Sequence, residues 1–165
     1  RSNNIPEEEV FSSPVTKNCT PDGSYKLLSS FRKEDGGFAT YRIDDNQNSW
    51  GISHADVTPV VLQTLIETSN IGSADLLASQ RFLQSQQEKS GQWKSFWWRS
   101  DLYSTSVNLR LFGELGWRYR KGTCLRSLTG RPVPDDPFEL ALLLKCLTYL
   151  AGNKINFFPV HKSLF

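Results

Sequence analysis

A turn that occurs twice limits the folds open to this sequence. The run Leu27-Leu28-Ser29-Ser30-Phe31 leads into Glu34-Asp35-Gly36-Gly37-Phe38, and Phe82-Leu83-Gln84-Ser85-Gln86 leads into Lys89-Ser90-Gly91-Gln92-Trp93. In both, an apolar pair lies three to four residues before a fixed position, Phe31 or Gln86, and an aromatic follows that position by seven. Gly36 and Gly91 fall at the same place. Glycine lets the chain reverse with positive φ, and the following aromatic can fold back over the helix ends as a plug. Glutamines such as Gln86 and Gln87 are suited to bond the unpaired backbone groups at those ends.

Each corner is followed by a second apolar helix. The spacing predicts one over Thr58 to Leu65, with Val61, Leu62 and Leu65 on one side, and another over Thr105 to Leu115, with Leu109, Phe112 and Leu115 on one stripe. A third copy begins at Asp136-Pro137-Phe138 and runs to Leu150, with Pro137 suited to a first turn and Gly152 to a helix end. Thr58 followed by Pro59 reads as a hydroxyl N-cap with proline at the first helical position. The chain is therefore expected to be all-α, built of helix-hairpin units over about 24–68, 74–116 and 117–152 within one domain of 165 residues. Equating Thr58, Thr105 and Leu140 gives spacings of 47 and 35 residues, so the third unit is expected to lack a first helix and its corner. Either the repeat has degenerated, or residues between about Tyr119 and Arg131 are missing from the chain. The start at Arg1 fits a processed or truncated chain, and missing residues or replaced methionines would explain both that start and the absence of methionine.

Composition excludes several function classes. A net charge of +2 with no run of Lys or Arg leaves nucleic acid unsupported as a partner. The densest basic stretch, Arg118, Arg120, Lys121 and Arg126, reads as a solvated loop, with an anion contact as the alternative. Cys19, Cys124 and Cys146 share no CxxC spacing, and His54 and His161 complete no zinc pattern, so no metal is expected. An odd number of cysteines fits a reducing, cytoplasmic setting. The Asn18-Cys19-Thr20 sequon is too short to carry weight. No apolar run approaches the roughly 18 residues of a membrane span. The tail Ile155-Asn156-Phe157-Phe158-Pro159 is free to pack on the domain, meet another chain or touch a membrane.

The stretch Phe82 to Trp93 resembles the QW repeat of squalene-hopene and oxidosqualene cyclases, an aliphatic pair and a glutamine followed by Gly-x-Trp. Asp35-Gly36-Gly37-Phe38 is similar to the related corner of protein prenyltransferase β subunits. The resemblance spans roughly residues 27–116 and, more weakly, 135–152. It implies an α/α toroid of the α6/α6-barrel kind. A complete ring of that type needs about twelve helices, so the chain would form an incomplete ring or a fragment, with a partner domain or second chain to complete it.

The same resemblance supplies a candidate site. Squalene-hopene cyclases protonate their substrate with an aspartate of a DxDD motif that precedes Thr-Ala. Here Ser53-His54-Ala55-Asp56-Val57-Thr58-Pro59 follows the first corner, and aligning on Thr58 puts Asp56 at the position of the proton donor. His54 and Val57 stand where that motif has further aspartates. The implied function is terpene cyclase-like, protonation-initiated cyclisation of a linear isoprenoid, with Asp56 as general acid and His54 as its partner. Trp50, Phe96, Trp97, Trp98 and Tyr103 would line the substrate pocket, because aromatic faces stabilise a cation without attacking it. No metal or cofactor is needed for that step.

Other readings stand beside it. Asp56 also fits a helix cap, His54 a surface or capping residue, and Trp97-Trp98 ordinary packing. Tyr103 and Phe138 take the place of Asp56 in the second and third units. Asp44-Asp45 lacks the third carboxylate of a magnesium-diphosphate motif, and Asp101, Cys124 and His161 lie in no prenyltransferase zinc motif. The alternatives are thus a non-catalytic toroid that binds an isoprenoid or a protein, and a prenyltransferase-like enzyme.

Overall fold

The computed structural model describes residues 21–41 and 50–152. These form six helices: α1 (Pro21–Ser29), α2 (Thr58–Glu67), α3 (Ser73–Ser85), α4 (Asp101–Leu115), α5 (Lys121–Thr129) and α6 (Pro137–Leu150). The protein is mostly helical, and its extended pairings among the described residues are three isolated antiparallel bridges: Arg32 with Phe38, Ala39 with Ser53, and Gln87 with Trp93. Among the described residues no helix is long and apolar enough to cross a membrane. Cys19, Asp44, Asp45, His161 and the apolar tail at 155–159 lie outside the described residues.

The two corners are the same object made twice. Gly36 and Gly91 have φ of +89° and +81°, the left-handed region that favours glycine. Lys33 N donates to Gly37 O and Gly36 N to Lys33 O; Glu88 N donates to Gln92 O and Gly91 N to Glu88 O, all at 2.9 to 3.0 Å. The aromatic that follows each turn is fully buried. Phe38 N donates to Thr58 Oγ1 at 2.9 Å, and Trp93 N to Thr105 Oγ1 at 3.2 Å, so each corner is tied to the helix that comes after it. Trp93 also donates its indole N–H to Leu83 O at 2.7 Å, which satisfies a carbonyl near the C-terminal end of α3. Burying an indole of this size contributes roughly 4–6 kcal/mol by area.

Gln87 does the bridging expected of a corner glutamine. Its Nε2 donates to Gly91 O at 2.8 Å, and its Oε1 accepts from Arg120 N at 3.0 Å, at the N-terminal end of α5. Gln86 is exposed, and its Nε2 donates to Ser85 Oγ at 3.5 Å.

Helix ends follow local chemistry. Asp136 caps α6 by accepting from Glu139 N at 2.9 Å, with Pro137 in the first turn. Ser100 caps α4, which ends at Gly116 with φ of 65° as Trp117 N donates back to Phe112 O. Thr58 departs from its expected role. The residue before α2 is Val57, whose side chain has no acceptor to cap the helix, and the Thr58 hydroxyl accepts from Phe38 N instead. The third unit departs too. Its first helix is present as α5, although its sequence offers only a thin apolar face of Cys124 and Leu128. What the third unit lacks is the corner, since Gly130 between α5 and α6 has φ of −85°.

The helices α2, α4 and α6 lie side by side, with the α4–α6 seam the most extensive. They run parallel. Ala55 and Gln63 of the α2 region meet Asn108 and Glu114 of α4 in the same order, and Trp98 before α4 stacks near Phe138 at the start of α6. Helix α3 covers α2, and α5 covers α6. Leu62, Leu65, Leu83, Trp93, Leu109, Phe112, Leu128, Leu143 and Cys146 fill the single core between them. The parallel run places the starts of α2, α4 and α6 along one edge, and the candidate residues lie there.

Candidate functional site

The first corner fixes the approach to α2. Ala39 pairs with Ser53, and His54 N donates to Phe38 O at 3.1 Å, so residues 53–56 are held against the buried aromatic. Asp56 is consequently buried, with 3% of its surface exposed. Its side chain does not turn down to cap α2. It crosses to the loop ahead of α4, where Oδ2 accepts from both Phe96 N and Trp97 N at 2.9 Å. Two N–H donors converging on one carboxylate oxygen make a charge-assisted staple between consecutive units.

The loop is fastened from its own side as well. Ser95 N donates to Asp101 Oδ1 at 2.8 Å, and Ser95 Oγ both donates to Ser100 O and accepts from Ser104 N. Trp97 donates its indole N–H to Thr40 Oγ1 at 2.6 Å. The aromatic side chains then gather over the staple. His54 stacks on Phe96 with ring centroids 4.1 Å apart, Phe96 meets Trp97 edge-on at 5.1 Å, and Trp97 meets Trp50 at 5.7 Å. Tyr41 closes the group, 5.3 Å from Trp50 and 6.0 Å from Trp97. Trp50 and Trp97 remain 46% and 39% exposed, so this is a wall open to solvent and not a core. A cleft of about 270 Å³ beside it is lined by His54, Phe96, Ser53 and Lys94.

The wall thus brings together Asp56, His54, Trp50, Phe96 and Trp97. Trp98 and Tyr103 belong to a second group on the α6 side, where Trp98 lies 4.6 Å from Tyr103 and 5.9 Å from Phe138. Burial pushes the Tyr103 phenol above its ordinary value, and the nearby charge of Asp56 pushes it further the same way.

Four residues at this edge escaped the sequence reading. Tyr41 and Thr40 sit beyond the first corner with no periodic signal. Phe138 was visible only as the third-unit counterpart of Asp56. Asn108, fully buried in the middle of α4, donates from Nδ2 to Ala55 O at 2.7 Å and to Ser104 O at 2.9 Å. An amide on the buried stripe of an apolar helix is the signal that marks it. Asp56 Oδ1 and Asn108 Oδ1 are both buried and accept no hydrogen bond from any described residue. Among the described residues, no group of three or more His, Cys, Asp or Glu side chains is placed to hold a metal ion.

No family model matches this chain, and none of the curated proteins or solved structures compared with it is significantly similar.

Proposed function

We propose that the chain is an arc of an α/α toroid that binds a linear isoprenoid or a similarly apolar molecule on the wall formed by Tyr41, Trp50, Phe96 and Trp97. The observation that carries this reading is the Asp56 staple. A buried carboxylate is committed to holding two consecutive aromatic residues, Phe96 and Trp97, half-exposed at the edge where α2 and α4 begin. Exposed indoles cost hydration free energy, and fastening them there suits a surface that gains by being covered. In this reading Asp56 positions the wall and His54 backs Phe96. The QW-like corners supply the resemblance to isoprenoid enzymes, and another domain or chain completes the ring.

A second reading, cyclisation started by Asp56, draws on its buried and uncommitted Oδ1. There the acid would give its proton to an alkene carbon, leaving a carboxylate and a carbocation facing the aromatic residues. One pair of experiments separates the two. Farnesol titrated into the full chain should change tryptophan emission and bind about ten-fold more weakly to Trp97→Ala, the loss expected for one aromatic face. Equal farnesol affinity in the two proteins would remove the wall from the proposal. Incubation with squalene should return it unchanged; a cyclised product by gas chromatography, lost in Asp56→Asn, would establish the cyclase instead.

A further inference from the structure

The second aromatic group takes no part in that wall. Trp98, Tyr103 and Phe138, with Asp135, Asp136 and Glu139, line a separate cleft of about 540 Å³ between the loop ahead of α4 and the start of α6. Trp98 and Phe138 are about half exposed, and Trp98 pairs with both of the other rings. Arg99 is the one cation of the lining, against three carboxylates. The side-chain ion pairs among the described residues, Arg32 with Asp75 and Arg110 with Glu114, engage none of these groups. Asp136 commits one oxygen to Glu139 N as the α6 cap. Burial and then the nearby Asp56 push the phenol of Tyr103, in the same cleft, above its ordinary value.

These features select one ligand chemistry. Aromatic faces attract cations through the ring quadrupole, and neighbouring carboxylates add a Coulomb term of the same sign. Three carboxylates against Arg99 disfavour an anion or a diphosphate. A simple ammonium ion is held strongly by water, whereas a quaternary ammonium spreads its charge over methyl groups that pack on rings while losing little hydration. We propose that the Trp98–Tyr103–Phe138 cleft is a binding site for a small quaternary ammonium ion.

The test uses the full chain, with choline as the cation and 3,3-dimethylbutan-1-ol as its uncharged counterpart of the same shape. Titrations followed by tryptophan emission and by calorimetry should give choline an affinity on the order of millimolar, with the neutral alcohol at least about ten-fold weaker. Raising the salt should weaken choline binding, as expected of exposed carboxylates. Trp98→Leu should weaken it about ten-fold and Glu139→Gln about three-fold, with far-UV circular dichroism unchanged. Trp50→Leu, in the other group, should leave it as it was. Equal binding of choline and the alcohol would overturn the proposal, as would unaltered choline binding by Trp98→Leu or no choline binding at all. Loss of binding in Trp50→Leu would overturn it too, by moving the ligand to the farnesol wall.

Discussion

Replacing Asp56 with alanine removes one oxygen that serves two donors, and the cost can be worked from the geometry. A hydrogen bond to a charged acceptor contributes about 1.5–3 kcal/mol, so two of them set an upper bound of roughly 6 kcal/mol. The orphaned N–H groups of Phe96 and Trp97 belong to a part-buried loop, where water can replace some of what is lost. We therefore expect Asp56→Ala to destabilise the fold by about 3 kcal/mol, a large share of the roughly 5–15 kcal/mol typical of a domain. Asp56→Asn retains an acceptor oxygen and loses only the charge, for about 1–2 kcal/mol. Urea unfolding followed by far-UV circular dichroism should show the midpoint falling in the order wild type, Asn, Ala at constant slope. Near-UV circular dichroism should lose intensity in the alanine variant, because Trp97 is no longer held against Trp50. An alanine variant within 0.5 kcal/mol of wild type, or one more stable than the asparagine variant, would refute the staple.

Two further outcomes follow from the buried interior. Gly36→Ala would bring a Cβ to 2.5 Å from the backbone carbonyl carbon of Ala78, and Gly91→Ala to 2.8 Å from Cys124 Cα, both at positive φ. Each should cost about 3 kcal/mol or more in urea unfolding, whereas Gly113→Ala, whose Cβ meets nothing, should stabilise α4 by about 0.5–1 kcal/mol. Burial raises the Cys124 thiol to about 11 and the Cys146 thiol to about 12, from an ordinary 9.0. Above pH 9 the unfolded chain therefore releases protons that the folded chain keeps. The thiols' contribution to stability should be fully present below pH 9 and be lost as the pH rises from 9 through about 11 to 12. Cys146→Ala should flatten that slope, and native Cys124 and Cys146 should resist iodoacetamide at pH 8 until urea unfolds the chain.

The corners were legible because their causes are local. A glycine at positive φ and an aromatic two residues on are written into Gly36-Gly37-Phe38 and Gly91-Gln92-Trp93, and the helices after them carry strong apolar stripes. Helix α5 was not legible, because its own residues barely specify it. Lys121–Thr129 buries only Cys124 and Leu128, and its N-terminal end is held by Gln87 from another unit. The hydrogen bonds of Asp56 were hidden for the same reason. Its position at a helix start suggested a cap or an acid, but its partners Phe96 and Trp97 lie 40 and 41 residues away. The Thr58 hydroxyl likewise accepts from Phe38 N across 20 residues. Pairings of that length depend on how the units dock, which no local pattern encodes.

Gly36 sits against the backbone of Ala78 in α3, and Gly91 against that of Cys124 in α5, so each turn is a socket for the next unit's helix. Main chain pressed on main chain leaves no side chain to compress or repack. Each approach is thereby metered at two points, as a ratchet tooth meters its wheel. The turn between α5 and α6 offers no such tooth, since Gly130 has φ of −85°.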